Sequence, residues 1–442
     1  MIKTVSTNPN YLASIVSLPA PEKHPNADRL QVVKIFFNSI ITGLDAKEGM
    51  IYVYFPLESA INKEYLAWSN SFESKEMNAD QNVKGYFPKT GRVRAASLRQ
   101  QKSEGYIVPV SSVASWLKTK GIEISLADYV GLSFDTIGDI LLCEKYVVQN
   151  QKGNGGNKQG KTKKKKESKI IPDVFKFHVD TDQLKRNMHK INPDDDIVIS
   201  YKLHGTSAIF ANLPCRRSLT WKDKVAKFLG VAVQDTHYDY IFSSRRVVKN
   251  DHDSANKEHY YATDIWNETG TRLKASIQQG ISIYAEIVGQ LSTGGWIQKE
   301  YDYGTNPNQS DVYVYRITFT SPDGLSYEFN RKQMEEYCEK YELKVVPLFY
   351  RGKAKDRYPE LSLDEHWHEN YLNNLISDYN EKDCYLCRNK VPEEGIVVLK
   401  EKLTRFDAFK LKSFKFLKRE TEELDAGVEN IEDAQPTEEE IS

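Results

Sequence analysis

The sequence predicts an α+β protein in which a small all-β unit precedes a larger unit of antiparallel strands and helices. Three observations predict this. Up to about Val148, short alternating apolar runs at residues 30–37, 50–55 and 106–110 are punctuated by glycine and proline, the pattern of a small β-barrel. Residues 149–169 are then dominated by Gly, Asn, Gln and Lys, the composition of a disordered basic linker. From Ile170 to Arg419, strand-like runs alternate with segments of helical apolar spacing.

In that third region the alternation of branched apolar residues places strands at residues 197–201, 281–288, 311–319, 395–399 and 406–416. Apolar residues recurring every three or four positions place helices at 217–229, 260–279, 331–341 and 363–379. Residues 420–442 are acidic and poor in aromatics, so a disordered tail is expected there, too short for a further domain. The four segments are therefore 1–148, 149–169, 170–419 and 420–442. The fragment from Ile170 onward is expected to fold alone.

Lys and Arg number 61 against 62 Asp and Glu, so overall charge selects no partner. A polyanion would have to meet a local patch; the run at 161–166 is one basic stretch, read as a solvated tether. Five cysteines in 442 residues fit a reducing compartment rather than a disulfide scaffold. Cys384 and Cys387 form one C-x-x-C: a zinc site would need two more ligands, with His366 and His368 as candidates, and two reduced thiols in a loop are the simpler reading. The start of the chain holds no apolar signal core, and no run is long enough to span a bilayer. A soluble, cytoplasmic monomer is expected.

The most informative stretch is Ile197-Val198-Ile199-Ser200-Tyr201-Lys202-Leu203-His204-Gly205-Thr206-Ser207-Ala208-Ile209-Phe210. It reads as strand, tight turn and strand, with Lys202 at the bend. Gly205 permits a close backbone approach, and the donors of Thr206 and Ser207 suit a phosphate. A lysine there is either an exposed hairpin corner or, if its pKa is lowered, a nucleophile.

Five downstream segments bear on that choice. Ser243-Ser244-Arg245 comes next, then Tyr284-Ala285-Glu286-Ile287-Val288-Gly289 and Val312-Tyr313-Val314-Tyr315. Glu393-Glu394-Gly395-Ile396-Val397-Val398 and Phe409-Lys410-Leu411-Lys412 complete the series. In this order, and headed by the Lys202 stretch, the segments resemble motifs I, III, IIIa, IV and V of the covalent nucleotidyltransferases, which include ATP-dependent RNA ligases, DNA ligases and mRNA capping enzymes. Lys-x-His-Gly-Thr is most similar to the RNA ligases that seal nicked duplexes. The resemblance spans about residues 170–419 and implies an ATP-grasp-like ligase catalytic domain.

It implies a chemistry as well. Lys202 would take AMP from ATP, pass it to a 5′-phosphate, and a 3′-hydroxyl would then displace it. By resemblance Lys410 and Lys412 contact the α-phosphate, and their spacing puts both ammonium groups on one strand face. Glu394 is the implied ligand for Mg²⁺ or Mn²⁺, preferred over Glu393 because it directly precedes the glycine. Glu286 either meets a ribose hydroxyl or forms a salt bridge, for which Arg245 is a candidate. Arg245 can fork onto a phosphate. Tyr313 or Tyr315 can stack on adenine, and family position favours Tyr315. His204 makes either a phosphate contact or a structural bond beside Gly205. Tyr201 departs from the carboxylate that many members carry before the lysine, so another group must read the base.

Near the N-terminus, His24-Pro25-Asn26-Ala27-Asp28-Arg29-Leu30 and Leu98-Arg99-Gln100-Gln101-Lys102-Ser103-Glu104-Gly105 together resemble an OB-fold tRNA-binding domain, with Gln100 where glycine is usual. An OB barrel offers a groove for single strands and strand ends. Arg92, Arg94, Arg99 and Lys102 are its candidate nucleic-acid contacts; otherwise they form a solvated strand face. The implied partner is RNA, a nicked duplex or a tRNA-like molecule. Two other readings remain open: a DNA ligase or capping-type enzyme, which usually carries an OB domain after motif V, and a non-catalytic RNA-binding protein.

Overall fold

The computed structural model describes residues 1–6, 8–147, 168–251, 261–379 and 381–428. Residues 149–167 of the expected linker, with the basic run 161–166, lie outside the described residues, as do residues 429–442 of the expected tail.

Strands β1 (Ala13–Ser17), β2 (Ile51–Pro56), β3 (Gly105–Pro109) and β4 (Ser133–Phe134) build an antiparallel sheet in the order β3-β2-β1-β4. Strand alternation gives it two apolar faces. Ala13, Ile15, Val53, Phe55 and Val108 point into one core, which helices α1 (Lys63–Trp68) and α2 (Val110–Thr119) cover with Tyr65, Leu66, Trp116 and Leu117. Tyr52, Tyr54 and Ile107 point the other way, against Val33, Ile35 and Ile40 of a second antiparallel sheet.

From residue 168 onward the strands are β5 (Asp182–Gln183), β6 (Asp196–Lys202), β7 (Thr206–Arg216), β8 (Thr236–Ser244) and β9 (Ile281–Gly289). They continue as β10 (Ser310–Thr320), β11 (Ser326–Glu328), β12 (Leu348–Lys353), β13 (Gly395–Lys400) and β14 (Asp407–Lys412). The longer helices are α3 (Trp221–Phe228), α4 (Ile265–Leu273), α5 (Arg331–Lys340), α6 (Trp367–Tyr379) and α7 (Phe414–Asp425), with single turns at Leu184–Asn187 and Ala354–Arg357. One sheet runs β5-β14-β13-β6-β12 and the other β8-β7-β9-β10-β11, with Lys344–Val345 added parallel to β10. Ile197, Ile199, Ile396, Val398 and Phe409 bury one face of the first sheet against Trp367, Tyr371 and Leu375 of α6. Ala208, Phe210, Ile283, Ala285 and Val314 bury one face of the second against Trp266 of α4 and Met334 of α5. This is the expected α+β architecture of antiparallel sheets and helices behind an N-terminal β region. Among the described residues, no helix is long and apolar enough to cross a membrane.

Several local expectations change. β6 and β7 are not a hairpin: they belong to different sheets, and Leu203-His204-Gly205 carries the chain across. The strand expected over 406–416 stops at Lys412, because Ser413 caps α7, its hydroxyl accepting the Phe416 N–H at 3.2 Å. Glu420 to Asp425, expected in the disordered tail, lie in that helix. Lys169, expected in the linker, is packed: its ammonium donates to Asp239 at 3.0 Å and to the Tyr240 carbonyl at 2.7 Å.

The helix α7 also joins the two halves of the chain. Phe414 joins the N-terminal core that holds Val53 and Phe55. Arg92, 2% exposed, donates to the Thr421 carbonyl at 3.0 Å and to Asp425 at 2.8 Å. Lys185 bonds Glu104 at 2.7 Å. The C-terminal segment expected to fold alone therefore places one of its own aromatic side chains in the N-terminal core.

Candidate functional site

The two sheets of the larger unit face each other across an open cleft with about 1460 Å³ of empty space. Strand parity decides what each sheet shows to it. On β6, Ile197 and Ile199 are committed to the core, so Val198, Ser200 and Lys202 line the cleft. On β13 the cleft side carries Val397 and Leu399, and on β14 it carries Lys410 and Lys412. The opposite sheet contributes Ser207, Glu286, Tyr315 and Arg316.

Register brings the lysines together. Lys202 is opposite Gly395 on β13, and Gly395 is opposite Lys412 on β14; one step along, Ser200, Val397 and Lys410 stand in line. Gly395 has φ +147°, and a Cβ there would lie 2.1 Å from the Leu411 carbonyl oxygen. Only glycine lets β14 approach this closely. The residue before it, Glu394, has its side chain only 1% exposed and meets the Lys202 ammonium at 2.7 Å. Glu393 is also buried, but its carboxyl lies beside Cys384, where burial first, then that thiol, pushes its pKa up to about 9.

Gly205 is fitted as tightly. A Cβ would lie 2.3 Å from the Ile287 carbonyl oxygen, and its N–H donates to Glu286 at 3.1 Å. The crossing between the sheets is thereby tied to the Glu286 carboxylate. Neither Gly205 nor His204 lines the cleft. The His204 N–H donates to the Tyr303 hydroxyl at 2.6 Å, and its ring packs edge-on against Tyr301 and Phe416. That is a structural bond at the turn.

Arg245, just past β8, pairs with Asp180, its Nε donating at 3.1 Å. Burial opposes ionisation of Asp180, yet Arg245 and Arg246 hold its carboxyl below the usual range. The Tyr315 hydroxyl meets His178 Nδ1 at 3.0 Å and the Ser207 hydroxyl at 3.3 Å, whereas Tyr313 packs with Leu203 and Tyr301 outside the cleft lining. A register shift between Tyr284 and Ala285 on β9 leaves one extra residue on β10. This bulge turns both Tyr315 and Arg316 toward the cleft. Arg316 is fixed there by Glu328, at 2.9 Å from Nε.

Electrostatically the cleft crowds cations. Burial and the neighbouring Lys412 ammonium push Lys410 down to about 8. Lys412 itself is gripped by Glu420 of α7 at 3.1 Å and by Glu58 at 2.9 Å. Glu58 belongs to the N-terminal region, which also lends Tyr11 and Lys145 to the cleft wall. Burial would raise the Glu58 carboxyl, but Lys412, a hydrogen bond with Glu420 and the Lys410 charge together outweigh it, and the group is held well below the carboxylate range.

Of the residues singled out in the sequence, Lys202, Arg245, Glu286, Tyr315, Lys410 and Lys412 thus line one cleft, with Glu394 on Lys202. The four candidate nucleic-acid residues stand apart from it. Arg92 and Arg94 are held by Asp425, and Arg94 also by Glu73 at 2.6 Å; Lys102 pairs with Glu381. Arg99 is exposed at φ +45°, followed by Gln100 at +70°, in a turn where glycine would be unstrained. The two N-terminal motif segments do meet: His24 Nε2 lies 3.2 Å from the Leu98 carbonyl, and the Asn26 amide donates to the Arg99 carbonyl at 2.9 Å. Glu58, His178, Asp180 and Arg316 were not anticipated, since no local pattern marks them.

Comparison with known proteins completes the picture. The model of the RNA ligase family matches residues 195–417, just over half of the chain. Among solved structures, the chain is similar to Naegleria gruberi RNA ligase with PPi, at 16% identity and TM-score 0.55 over 93% of this chain and 99% of that one. It is likewise similar to a mutant of that enzyme with ATP and Mn, at 16% identity and TM-score 0.53 over 92% of this chain and 98% of that one. An apo mutant gives 15% identity and TM-score 0.54 over 94% and 100%. At such identity the likeness shows a shared fold, and it extends over the N-terminal region. Curated protein sequences gave no match.

Proposed function

Because this chain belongs to the RNA ligase family, we propose that it is an ATP-dependent enzyme that joins a 3′-hydroxyl to a 5′-phosphate in RNA through lysyl-AMP on Lys202. The observation that carries this reading is the alignment of Lys202, Gly395 and Lys412 across three adjacent strands, with Glu394 at 2.7 Å from the Lys202 ammonium.

The reaction then takes three transfers. Unprotonated Lys202 Nζ attacks the α-phosphorus of ATP, the bond to the β-phosphate oxygen breaks, and pyrophosphate leaves. A 5′-phosphate oxygen then displaces Lys202 and takes the AMP. Finally the 3′-hydroxyl attacks the activated 5′-phosphorus, and AMP departs. Each transfer spreads negative charge over equatorial oxygens, so fixed cations aimed at that position lower the barrier. Lys410 and Lys412 supply them from one strand face, and their positive field also favours the neutral form of Lys202 that attacks. We assign Arg245 to a phosphate, Glu286 to the ribose hydroxyls and Tyr315 to the base. Val198, Val397 and Leu399 offer adenine an apolar wall, and Tyr201, in the same lining, packs its ring on Phe349 and Tyr379.

Glu394 is the group that would hold Mg²⁺ or Mn²⁺. Among the described residues no cluster of three or more His, Cys, Asp or Glu could hold an ion. One buried carboxylate beside a phosphate site fits a cation that takes its other ligands from phosphate oxygens and water. When bound, the ion adds positive charge at the transferring phosphate.

We assign the N-terminal region the role of an OB-fold module that holds RNA, a nicked duplex or a tRNA-like end, with Arg99 and Lys102 as its contacts. Arg92 and Arg94, engaged by α7, serve the junction between the halves instead. Incubation with α-labelled ATP and a divalent cation, followed by denaturing electrophoresis, tests the reading. An acid-labile label on the polypeptide and sealing of nicked RNA are expected. No label would make this a non-catalytic RNA-binding protein, and a labelled chain that seals only DNA, or transfers guanylate, would make it a DNA ligase or capping-type enzyme.

A further inference from the structure

The C-x-x-C pair has no part in the chemistry above, yet it stands directly behind it. Cys384 and Cys387 lie in the loop between α6 and β13, and that loop is fastened at many points. The Cys384 N–H donates to the Val391 carbonyl at 2.8 Å and the Cys387 N–H to the Cys384 carbonyl at 3.2 Å. The Arg388 N–H and Nε both donate to Asp302 at 2.8 Å, and the Tyr301 hydroxyl donates to the Pro392 carbonyl at 2.9 Å. Within this frame the Cys384 thiol hydrogen-bonds the Cys387 sulfur, which also receives the Tyr303 N–H.

The two sulfurs differ in access and charge. Cys384 is 4% exposed, packed among Leu203, Tyr303, Val391 and Phe416, and Cys387 is half-buried. The bond from Cys384 holds the Cys387 thiol below the ordinary thiol range, whereas that contact, together with burial, pushes Cys384 up. An accessible sulfur that ionises readily, touching a buried thiol that does not, is the arrangement of an attacking and a resolving cysteine. The other cysteines, Cys143, Cys215 and Cys338, are each buried.

We propose that Cys384 and Cys387 form a thiol–disulfide exchange site for low-molecular-weight disulfides, and that its oxidation slows AMP transfer to Lys202. The Cys387 thiolate attacks one sulfur of the disulfide and releases the first small thiolate. The Cys384 sulfur, losing its proton, then attacks Cys387 and releases the second. Two protein thiols are oxidised to one disulfide, and the small disulfide is reduced to two thiols that carry the two protons away. The coupling is short: the carboxyl of Glu393, which keeps its proton beside the Cys384 sulfur, has its backbone carbonyl receiving the Ser413 hydroxyl at 2.6 Å, and Glu393 immediately precedes Glu394. Oxidation draws the Cys384 sulfur onto Cys387, away from that carboxyl, and pulls the loop at the root of β13.

This coupling rests on the proposed function, and the test separates the two. The full-length chain is incubated with oxidised glutathione, its remaining thiols are alkylated after denaturation, and peptides are read by mass spectrometry alongside self-adenylation. A Cys384–Cys387 disulfide with Cys143, Cys215 and Cys338 still alkylated, and a severalfold, dithiothreitol-reversible loss of adenylation, is expected. Cys387→Ser should adenylate normally and resist oxidised glutathione. The proposal is overturned if no such disulfide forms, if it forms with adenylation unchanged, or if the thiols react only after a chelator has removed zinc. Reduced wild-type chain that never becomes labelled with AMP would refute the enzyme reading instead, leaving the thiol measurement intact.

Discussion

Replacing Glu58 with Gln tests whether the N-terminal region tunes the charge of the cleft rather than merely covering it. Glu58 lies 2.9 Å from Lys412 and is among the groups that raise Lys410, whose pKa burial and Lys412 bring down to about 8. Glu58→Gln keeps the shape and removes one negative charge. A unit charge about 6 Å away at an effective dielectric of roughly 40–80 is worth ~0.7–1.4 kcal/mol, or roughly half a pKa unit to one unit. Losing it makes the Lys410 ammonium easier to deprotonate, so its pKa falls further. The assay is kcat/KM for ATP in self-adenylation against pH, which reports groups of the free enzyme. In the wild type the alkaline limb should fall as Lys410 loses its proton, near pH 8. In Glu58→Gln that limb should move to lower pH by about half a unit to one unit. A limb that stays in place while the rate drops at every pH would show that Glu58 only anchors α7, and a limb moving upward would refute the charge coupling. Stability carries the same sign. The native chain holds fewer protons at Lys410 than the unfolded chain between pH 8 and the usual lysine range, so raising pH through that window relieves the cost of burying the charge.

Lys202→Ala should abolish labelling by α-labelled ATP yet still seal a pre-adenylated strand, a step that needs no lysyl-AMP; a labelled mutant would assign the nucleophile elsewhere. Glu394→Ala should cost orders of magnitude in adenylation and Glu393→Ala far less, with equal losses contradicting the contact between Glu394 and Lys202. Gly395→Ala should destabilise the chain by at least about 2 kcal/mol in urea titration, because a Cβ at its positive φ strains the backbone and meets Leu411. Phe414→Ala should cost about 3–5 kcal/mol, and a fragment beginning at Ile170 should melt well below the whole chain, since Phe414 is buried in the N-terminal core. A fragment that keeps full thermal stability and adenylates normally would show that the contacts of α7 with that region contribute little.

The primary structure determined the parts of this site that depend on neighbours along the chain. The alternation through Ile197 to Lys202 assigns Lys202 to the face opposite Ile197 and Ile199, and the spacing of Lys410 and Lys412 puts them on one face of β14. Gly205 was legible as a point of close backbone approach, whereas the equally tight fit of Gly395 against Leu411 emerged only from the packing of β13 on β14. The tertiary structure alone decided which distant groups complete the site. Glu58 reaches Lys412 across 354 positions, Asp180 reaches Arg245 across 65, and His178 reaches Tyr315 across 137. Arg316 enters the cleft through a bulge, and a single extra residue reverses every parity argument beyond it. It decided equally that Arg92 and Arg94, basic residues that suit a polyanion in the sequence, spend their charge on α7. A carboxylate is attractive to any cation, and only the packing of α7 against the N-terminal core, through Phe414 and Leu417, brings Asp425 to those two.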